Sequence, residues 1–260
     1  MQLYIATHKH KVTLHTGIYL PIHVGAALQP QVIGEGYIQD NTGDNISLKN
    51  KTYNELTALY WVWKNTPKAT IVGLMHYRRY FNFLYNRFAY KQKGQVQLLA
   101  TDMLVQQLIT KQPDVQKRIK KYLSTNNVLV PYPTKIYVNT KEVTVAEDYD
   151  NAHVSKDWHT MRNVILTVHP AYINSFDAIG ASNLIYYGNM FVATKTWTCA
   201  YCEWLFSLLT ALEKQIDIST YDAYQQRVYG FMAERLFNVY LHYNKCKVKM
   251  IPVIFERELL

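Results

Sequence analysis

Residues 69–81 read Ala-Thr-Ile-Val-Gly-Leu-Met-His-Tyr-Arg-Arg-Tyr-Phe, an apolar run that passes directly into basic and aromatic side chains. The apolar part, residues 69–75, has the length and the aliphatic character of a buried strand. In open α/β sheets, ligands bind beyond the carboxyl ends of the strands. The stretch therefore predicts a central strand with His76, Arg78 and Arg79 at a ligand-binding edge.

Strand and helix patterns alternate on both sides of this stretch. Further strands are predicted at residues 3–6, 19–25, 127–130, 184–193 and 248–255. Helices are predicted at residues 52–64, 100–123 (interrupted near Pro113), 157–168, 196–214 and 222–243. This alternation is typical of a largely parallel sheet covered on both faces. Because the chain has no internal repeat and no long linker, residues 1–260 are predicted to form one α/β domain, with a Rossmann-like, mixed, mostly parallel sheet flanked by helices.

The predicted helix at residue 52 begins with candidate ligand-binding side chains. Thr52 and Glu55 have the spacing of a capping box, with a hydroxyl at the cap and a carboxylate three residues later. Glu55 is therefore either a capping carboxylate or a site residue. Asn54 and Thr57, at the start of the same helix, are placed to bind a base or a ribose.

The composition is that of a globular protein with an excess of basic residues. The chain has 260 residues, of which 49% are hydrophobic and 18% charged, and its formal net charge is +9. Nucleic acid, anionic lipid and a phosphorylated substrate all fit this excess. No RNA-binding motif is present, and the paired arginines lie at a predicted strand end, so no nucleic-acid partner is predicted. A non-catalytic module that binds glycan or nucleic acid is the alternative.

Three features predict the localisation. No stretch reaches the roughly 20 apolar residues that span a bilayer, and residues 1–9 lack the basic region and long apolar run of a signal peptide. Three cysteines do not make a disulfide framework, and Cys199 and Cys202 lie in an apolar helical pattern, as core residues do. We therefore place the protein in the cytoplasm. Peripheral contact with the inner face of the cell membrane is an alternative, for which the basic run at residues 117–121 is suited.

A second predicted strand end is also unusually polar. Thr7-His8-Lys9 follows the strand at residues 3–6, as His76-Tyr77-Arg78-Arg79 follows the strand at residues 69–75. Ends of parallel strands meet at one edge of a sheet, so these side chains are predicted to surround one crevice. Because arginine forks bind phosphate oxygens bidentately, the crevice suits a diphosphate.

Six stretches carry a resemblance to a known family. They are residues 7–9, 39–46, 53–57, 73–81, 187–191 and 234–238. Together they resemble a bacterial family of capsular and exopolysaccharide glycosyltransferases that was long catalogued only as a domain of unknown function. Its most specific motif is His-Tyr-Arg-Arg-Tyr, here at residues 76–80.

The resemblance implies both a fold and an activity. It implies a GT-A fold, a nucleotide-sugar donor and, from some relatives, transfer of galactofuranose from its UDP derivative. The donor-binding residues would then include Asn189, within the stretch at residues 187–191. The acceptor would be a lipid-linked glycan or an oligosaccharide in capsule or exopolysaccharide synthesis.

The metal requirement is predicted from the same strand end. GT-A enzymes usually carry Asp-x-Asp at the end of a central strand, where the carboxylates hold Mn²⁺ or Mg²⁺ against the donor diphosphate. Here the comparable strand ends in His76-Tyr77-Arg78-Arg79. Two guanidinium groups stabilise a departing diphosphate as a cation would, so we expect no metal and no other cofactor. The alternative is Mn²⁺ or Mg²⁺ at Asp148 and Asp150.

Inverting transfer needs a base that deprotonates the acceptor hydroxyl. Glu234 is the first candidate, because it lies on the same side of the last predicted helix as Arg227 and Gly230. A mid-helix glycine costs about 1 kcal/mol, which indicates close approach by a ligand or by backbone. Otherwise Glu234 is a solvated carboxylate or the ion-pair partner of an arginine. Asp148 is the second candidate, followed by Glu147 and Asp40.

Three further residues are predicted to bind the acceptor. His153 and Asp157 bracket the start of a predicted helix, and Arg227 lies on the side of Glu234. Both histidine and arginine donate hydrogen bonds to hydroxyl oxygens. The alternative for His153 is an ordinary surface histidine.

Overall fold

The stretch at residues 69–81 contains the central strand of a sheet. A computed structural model describes residues 1–8, 12–31, 33–85, 97–99 and 102–255. Its strands are β1 (Gln2–Thr7), β2 (Tyr19–His23), β3 (Ile38–Gln39), β4 (Ile71–His76), β5 (Arg79–Phe81), β6 (Gln97–Leu99), β7 (Val128–Val130), β8 (Thr134–Lys135), β9 (Tyr137–Val138), β10 (Lys141–Glu142), β11 (Leu184–Ile185), β12 (Phe191–Thr194), β13 (Val248–Met250) and β14 (Val253–Phe255).

Across the described residues, ten of these strands form one sheet, whose main path runs β13-β7-β12-β4-β1-β2-β3. Strands β4, β1, β2 and β3 are parallel, and Leu3 in β1 lies opposite Gly73 and Tyr19. Strand β12 is antiparallel to both of its neighbours, β4 and β7. The predicted mixed, mostly parallel sheet is therefore confirmed, with β12 as the reversed strand.

Helices cover both faces of the sheet. They are α1 (Asn50–Tyr53), α2 (Leu56–Asn65), α3 (Asp102–Thr110), α4 (Gln112–Leu123), α5 (Val145–Ala152), α6 (Ser155–Val168), α7 (Ile173–Gly180), α8 (Lys195–Glu213) and α9 (Val228–Tyr243). Successive strand residues point to opposite faces. Tyr4 therefore packs in a core with α2, α8 and α9, whereas Leu3 and Ile5 pack in a second core with α3 and α4.

Gly73 explains how closely the central strands pack. A Cβ at this position would lie 2.7 Å from a methyl group of Val192 and 2.9 Å from one of Leu3. A larger residue in the middle of β4 would therefore push β1 and β12 away from it. The glycine in the quoted stretch is a packing requirement of the sheet.

The helix predicted from residue 52 is broken. Asn54 has a φ of 51°, outside the helical region, and it separates α1 from α2. The Thr52 hydroxyl donates to a carbonyl of the preceding turn, and Glu55 starts α2 without a side-chain cap. The predicted capping box is therefore wrong. A capping box forms instead at the start of α5, between Thr144 and Glu147.

Two predicted strands are each divided by a local backbone feature. Residues 184–193 form β11 and β12, because Gly188 and Asn189 adopt φ values of 89° and 50° and make a turn between them. Residues 248–255 form β13 and β14, separated by a segment that contains Pro252, which has no N–H for a strand ladder. These turns matter because the first of them lies at the candidate site.

Surface and core features bear on the predicted localisation. Within the described parts of the chain, no helix combines the length and apolar character needed to cross a bilayer. Cys202 is buried in α8, as the pattern predicts, whereas Cys199 is partly exposed. In the basic run of α4, Arg118 donates to the carbonyls of Phe83 and Tyr85, so it has a structural role.

Candidate active site

The carboxyl ends of β1 and β4 are joined at one edge of the sheet. The Tyr77 N–H, directly after β4, donates to the Ala6 carbonyl at 3.1 Å. Because β12 runs in the opposite direction, the turn that precedes it, residues 186–190, reaches the same edge. Three segments that are distant in sequence therefore meet there.

A cleft of about 630 Å³ opens at this edge, and we call it the polar cleft. Its described lining residues are Ala6, His8, Val24, Asn50, Asn54, Glu55, His76, Tyr77, Arg78, Arg79, Gly188, Arg227 and Glu234. Three of them carry guanidinium groups and two carry carboxylates. Small-molecule sites measure roughly 300–1,000 Å³, so the polar cleft is large enough for a sizeable anionic ligand.

The two arginines of the quoted stretch are exposed in the polar cleft. The Arg79 guanidinium lies 5.4 Å from the ring centre of Phe255, and that of Arg78 lies 4.8 Å from the ring centre of Tyr77. The His8 ring meets the Tyr77 ring edge-on, with centres 5.2 Å apart. Packing on a ring orients a guanidinium group without neutralising its charge.

His76 also lines the polar cleft and is partly buried. Its Nε2 is 2.5 Å from the Gly188 carbonyl oxygen. A carbonyl only accepts, so Nε2 carries the proton and donates it. Burial lowers the pKa of His76, and Arg79 lowers it further, against an opposing effect of Glu55. The hydrogen bond from His76 ties β4 to the turn before β12.

The turn before β12 organises both carboxylates of the polar cleft. Gly188, at a φ of 89° that favours glycine, donates its N–H to Glu234 Oε1 at 2.8 Å. Asn189 donates its side-chain amide to Glu55 Oε1 at 2.7 Å. Asn189 is itself only 2% exposed, so it acts on the cleft through Glu55 and does not line it.

Glu234 belongs to a buried chain of charged groups. Its Oε2 lies 3.1 Å from Arg235 Nη1, and Arg235 Nη2 lies 2.8 Å from Asp148 Oδ2. The Tyr187 hydroxyl also donates to Asp148, at 3.0 Å. Burial raises the pKa of Glu234, and Arg235 partly offsets that effect. Glu234 is therefore the ion-pair partner of an arginine, which is one of the two predicted alternatives to a catalytic role. It is also a half-buried residue that lines the cleft.

A second cleft, of about 380 Å³, adjoins the polar cleft at Arg79 and Glu234. We call it the aromatic cleft; its described lining residues are Arg79, Pro131, Tyr132, Thr134, Tyr187, Met190, Glu234, Val253 and Phe255. Arg79 and Glu234 line both clefts. The sequence alone does not predict Tyr132 or Phe255 as site residues. Tyr132 does lie just after the carboxyl end of a strand, β7, and the end of β1 at Thr7 is predicted as a site on the same ground.

Some of the residues predicted to bind the sugar donor are not among the described residues that line the polar cleft. Thr7 is buried at the end of β1, with 1% of its surface exposed. Lys9 lies outside the described residues. Thr57 is fully buried and donates to Asp40 at 2.6 Å, so its hydroxyl is part of the core. Asn54 does line the polar cleft, where its Oδ1 accepts from Arg227 at 3.2 Å.

Asp40, a further candidate base, is a structural carboxylate. It is completely buried. Its oxygens accept hydrogen bonds from the backbone N–H groups of Gly25 and Ala26 and from the hydroxyls of Ser47 and Thr57. These bonds hold the loop after β2 against the start of α2, and they leave Asp40 no access to a substrate.

Two of the three predicted acceptor residues are packed away from both clefts. The His153 ring stacks on Phe231 at 4.0 Å, and burial lowers its pKa to about 4. Asp157 is 1% exposed and accepts from the Tyr221 hydroxyl at 2.7 Å. Neither is among the described residues that line a cleft. Arg227 lines the polar cleft, beside Asn54.

The Asp148-Tyr149-Asp150 sequence does not form a carboxylate pair. It lies in α5, where residues two apart point to different sides of the helix. Asp148 contacts Arg235 and Tyr187, whereas Asp150 accepts from the exposed Ser155 hydroxyl at 2.8 Å. Glu147, the remaining candidate base, caps the same helix. Among the described residues, no group of three or more histidine, cysteine or acidic side chains is arranged to hold a metal ion.

The chain matches one protein family and is similar to a solved structure. Residues 2–245 match the family described as "Domain of unknown function (DUF4422)". The fold is similar to the apo structure of WbbM, a bifunctional glycosyltransferase, with a TM-score of 0.87 and 32% sequence identity. The similarity covers 99% of this chain and 45% of that one, so this chain spans less than half of that protein's length. No curated protein matches the chain.

Proposed function

Because the chain belongs to the DUF4422 family and shares its fold with a bifunctional glycosyltransferase, we propose that it is a glycosyltransferase. In this proposal it moves a sugar from a UDP-linked donor to a glycan acceptor. The polar cleft carries the proposal, because Arg78 and Arg79 at the end of β4 and the carboxylate of Glu234 line it together. We propose UDP-galactofuranose as a donor, in capsule or exopolysaccharide synthesis, on the resemblance of the motif at residues 76–80.

The charges of the polar cleft favour a diphosphate. Arg78, Arg79 and Arg227 bring three positive charges, against two carboxylates. Guanidinium forks match phosphate oxygens, and each charge-assisted hydrogen bond contributes about 1.5–3 kcal/mol. We therefore assign the diphosphate of the donor to the three arginines. His8 and Asn54, on the same lining, are assigned to the nucleoside.

We propose that the arginines take the place of a divalent cation. A departing diphosphate gains negative charge, and fixed positive groups aimed at it stabilise the transition state. Arg79 is the central group, because it lines both clefts. The outward orientation of Asp150 supports the same reading, since a cation would need both aspartates of α5 to converge.

Glu234 is the proposed base. The acceptor hydroxyl gives its proton to Glu234 while its oxygen bonds to the anomeric carbon of the donor. The bond from that carbon to the diphosphate oxygen breaks, and its electron pair leaves with the diphosphate. Burial raises the pKa of Glu234, which makes it a better proton acceptor than an ordinary carboxylate.

A thermal-shift panel tests the donor assignment. UDP, UDP-sugars and other nucleotides are each added with EDTA and with Mn²⁺. A ligand at 100 times its Kd stabilises the native state by about 2.7 kcal/mol, which for a chain of this size raises Tm by roughly 5 °C or more. We expect UDP and a UDP-sugar to do so in EDTA.

Matched arginine variants test the site. We expect Arg79→Ala and Arg78→Ala to weaken UDP binding about 10-fold or more, the loss of one charge-assisted hydrogen bond. The control is Arg162→Ala, which removes the same charge from a surface ion pair with Asp177. Equal UDP affinity in all three variants would refute the diphosphate assignment. Stabilisation only with Mn²⁺ would instead redirect attention to Asp148.

Two other outcomes favour the alternative class. If no nucleotide shifts Tm and the protein binds glycan without releasing UDP, it is a binding module. A salt-dependent affinity for DNA or RNA would indicate a nucleic-acid-binding protein. Contact with the inner membrane face is a separate proposal, supported by the charge of +9; equal flotation with neutral and anionic liposomes would refute it.

A further inference from the structure

The polar cleft and the aromatic cleft have two lining residues in common. Arg79 and Glu234 line both the polar cleft and the aromatic cleft. The lining residues that the clefts do not share differ in kind. The polar cleft has two more arginines, a glutamate and two asparagines, whereas the aromatic cleft has Tyr132, Tyr187 and Phe255 with Met190 and Val253.

We propose that the aromatic cleft is the acceptor site, and that it holds a sugar ring packed against Tyr132. This inference rests on the proposed function, whose donor occupies the polar cleft. It replaces His153 and Asp157 as the residues that bind the acceptor. It also names the acceptor's chemistry at this point of contact: a sugar, not a phosphate, a lipid tail or a protein side chain.

The geometry of transfer assigns the two clefts to the two substrates. The anomeric carbon must lie where the diphosphate oxygen and the attacking hydroxyl both reach it, on opposite sides. In the proposed function, the diphosphate binds to the arginines of the polar cleft, which include Arg79. The hydroxyl must then reach the anomeric carbon from an adjoining space and touch the base. The aromatic cleft meets both conditions, because Glu234 also lines it.

The lining suits a sugar ring. One face of a pyranose presents C–H groups, which pack on an aromatic ring, while its hydroxyls need polar partners at the edge. Tyr132 is half-buried and lines the cleft, so part of its side chain is accessible there. Thr134 is exposed at the rim, and its hydroxyl offers a donor and an acceptor.

Variants of the aromatic cleft separate this inference from the proposed function. The probes are octyl β-glycosides of glucose, galactose, mannose and N-acetylglucosamine, and UDP release is measured with and without each one. Tyr132→Ala is expected to raise the KM for the responding glycoside at least about tenfold, whereas Tyr132→Phe, which keeps the ring, stays within about twofold. Thr134→Trp fills the cleft from its rim and is expected to block transfer.

The same variants must leave the donor site intact. We expect the Kd for UDP to stay within about twofold of wild type, because neither residue is among the described lining residues of the polar cleft. The control is Tyr243→Ala, which removes another partly exposed tyrosine, stacked on Tyr172 near the far end of α9. We prefer Tyr132 to Phe255 as the test, because Phe255 also contacts Arg79.

Saturation-transfer NMR gives a readout that does not depend on the donor. Wild type is expected to transfer saturation to the ring protons of an octyl glycoside, and Tyr132→Ala is expected to lose that signal. The inference is overturned if Tyr132→Ala and Thr134→Trp keep the wild-type KM, or if no glycoside in the panel receives saturation from wild type. Absence of UDP binding, with glycoside binding in the aromatic cleft intact, would instead refute the proposed function.

Discussion

Replacing Glu234 with glutamine removes the proposed base with little change of shape. The amide that takes the place of the carboxylate would keep an oxygen that accepts from the Gly188 N–H, now 2.8 Å from Oε1. It would lose the charge that lies 3.1 Å from Arg235, but Arg235 keeps Asp148 at 2.8 Å. Because an anionic partner remains, we expect the free energy of unfolding to change by roughly 1 kcal/mol or less.

The effect of Glu234→Gln on catalysis is much larger. A positioned general base contributes about 10²–10⁴-fold to the rate, or about 2.7–5.4 kcal/mol of transition-state stabilisation. We therefore expect kcat to fall by at least about 100-fold. The affinity for UDP should stay equal or rise, because the substitution removes a negative charge from the lining of the polar cleft.

The assay measures UDP release with donor and acceptor both saturating, beside calorimetric binding of UDP. The control is Glu213→Gln, which removes a carboxylate from a surface ion pair with Lys49, with N and O 2.7 Å apart. We expect that variant to have wild-type kcat. A kcat for Glu234→Gln above about a tenth of wild type would refute the assignment of the base.

Three further predictions concern the same site. Burial raises the pKa of Glu234, and the proposed base must be ionised to accept a proton. In a pH–rate profile, kcat should therefore fall as pH drops through a pKa above the usual glutamate value. A fall in kcat only at the usual glutamate pKa would contradict this. Arg235→Met removes a cation that is 3% exposed and leaves two carboxylates unpaired, so urea unfolding should show a loss of about 3–5 kcal/mol. Gly230→Ala would bring a Cβ within 2.5 Å of the Asn54 amide and displace that side chain, which lines the polar cleft, so UDP affinity should fall. Tm should change little, because the higher helix propensity of alanine offsets the steric cost.

The position of the arginines follows from local patterns, which is why the sequence predicts it. An aliphatic run of six or seven residues that ends in His-Tyr-Arg-Arg forms a buried strand with a polar end, whatever surrounds it. The run forms β4, and Arg78 and Arg79 lie at the carboxyl edge of the sheet. Helices α6 and α8 likewise lie within two residues of their predicted ends, because each has a long apolar face. Helix α9 ends at the predicted residue but begins six residues later than predicted, after a short 3₁₀ turn at Gln225–Arg227.

The parts of the site that the sequence does not predict depend on contacts between distant residues. The spacing of Thr52 and Glu55 fits a capping box, but Glu55 contacts Asn189, 134 positions later, and the chain bends at Asn54 to allow it. Gly230 is the third residue of α9 and not a mid-helix residue, and the group that approaches it is the Asn54 side chain, not the predicted ligand or backbone. The aromatic cleft is assembled from segments after β7, before β12 and in β14, so no single segment contains its pattern.

The choice of base among the carboxylates rests on access from both substrates. Glu55 lines the polar cleft alone, and one of its oxygens accepts from Asn189. Asp148 is not among the described residues that line either cleft. Its Oδ2 accepts hydrogen bonds from both Arg235 and Tyr187. Glu234, among the described lining residues, is the carboxylate that the two clefts share. In the proposed arrangement, an acceptor hydroxyl in the aromatic cleft meets Glu234 on its way to a donor bound at Arg79, and neither Glu55 nor Asp148 is among the described residues that line that cleft.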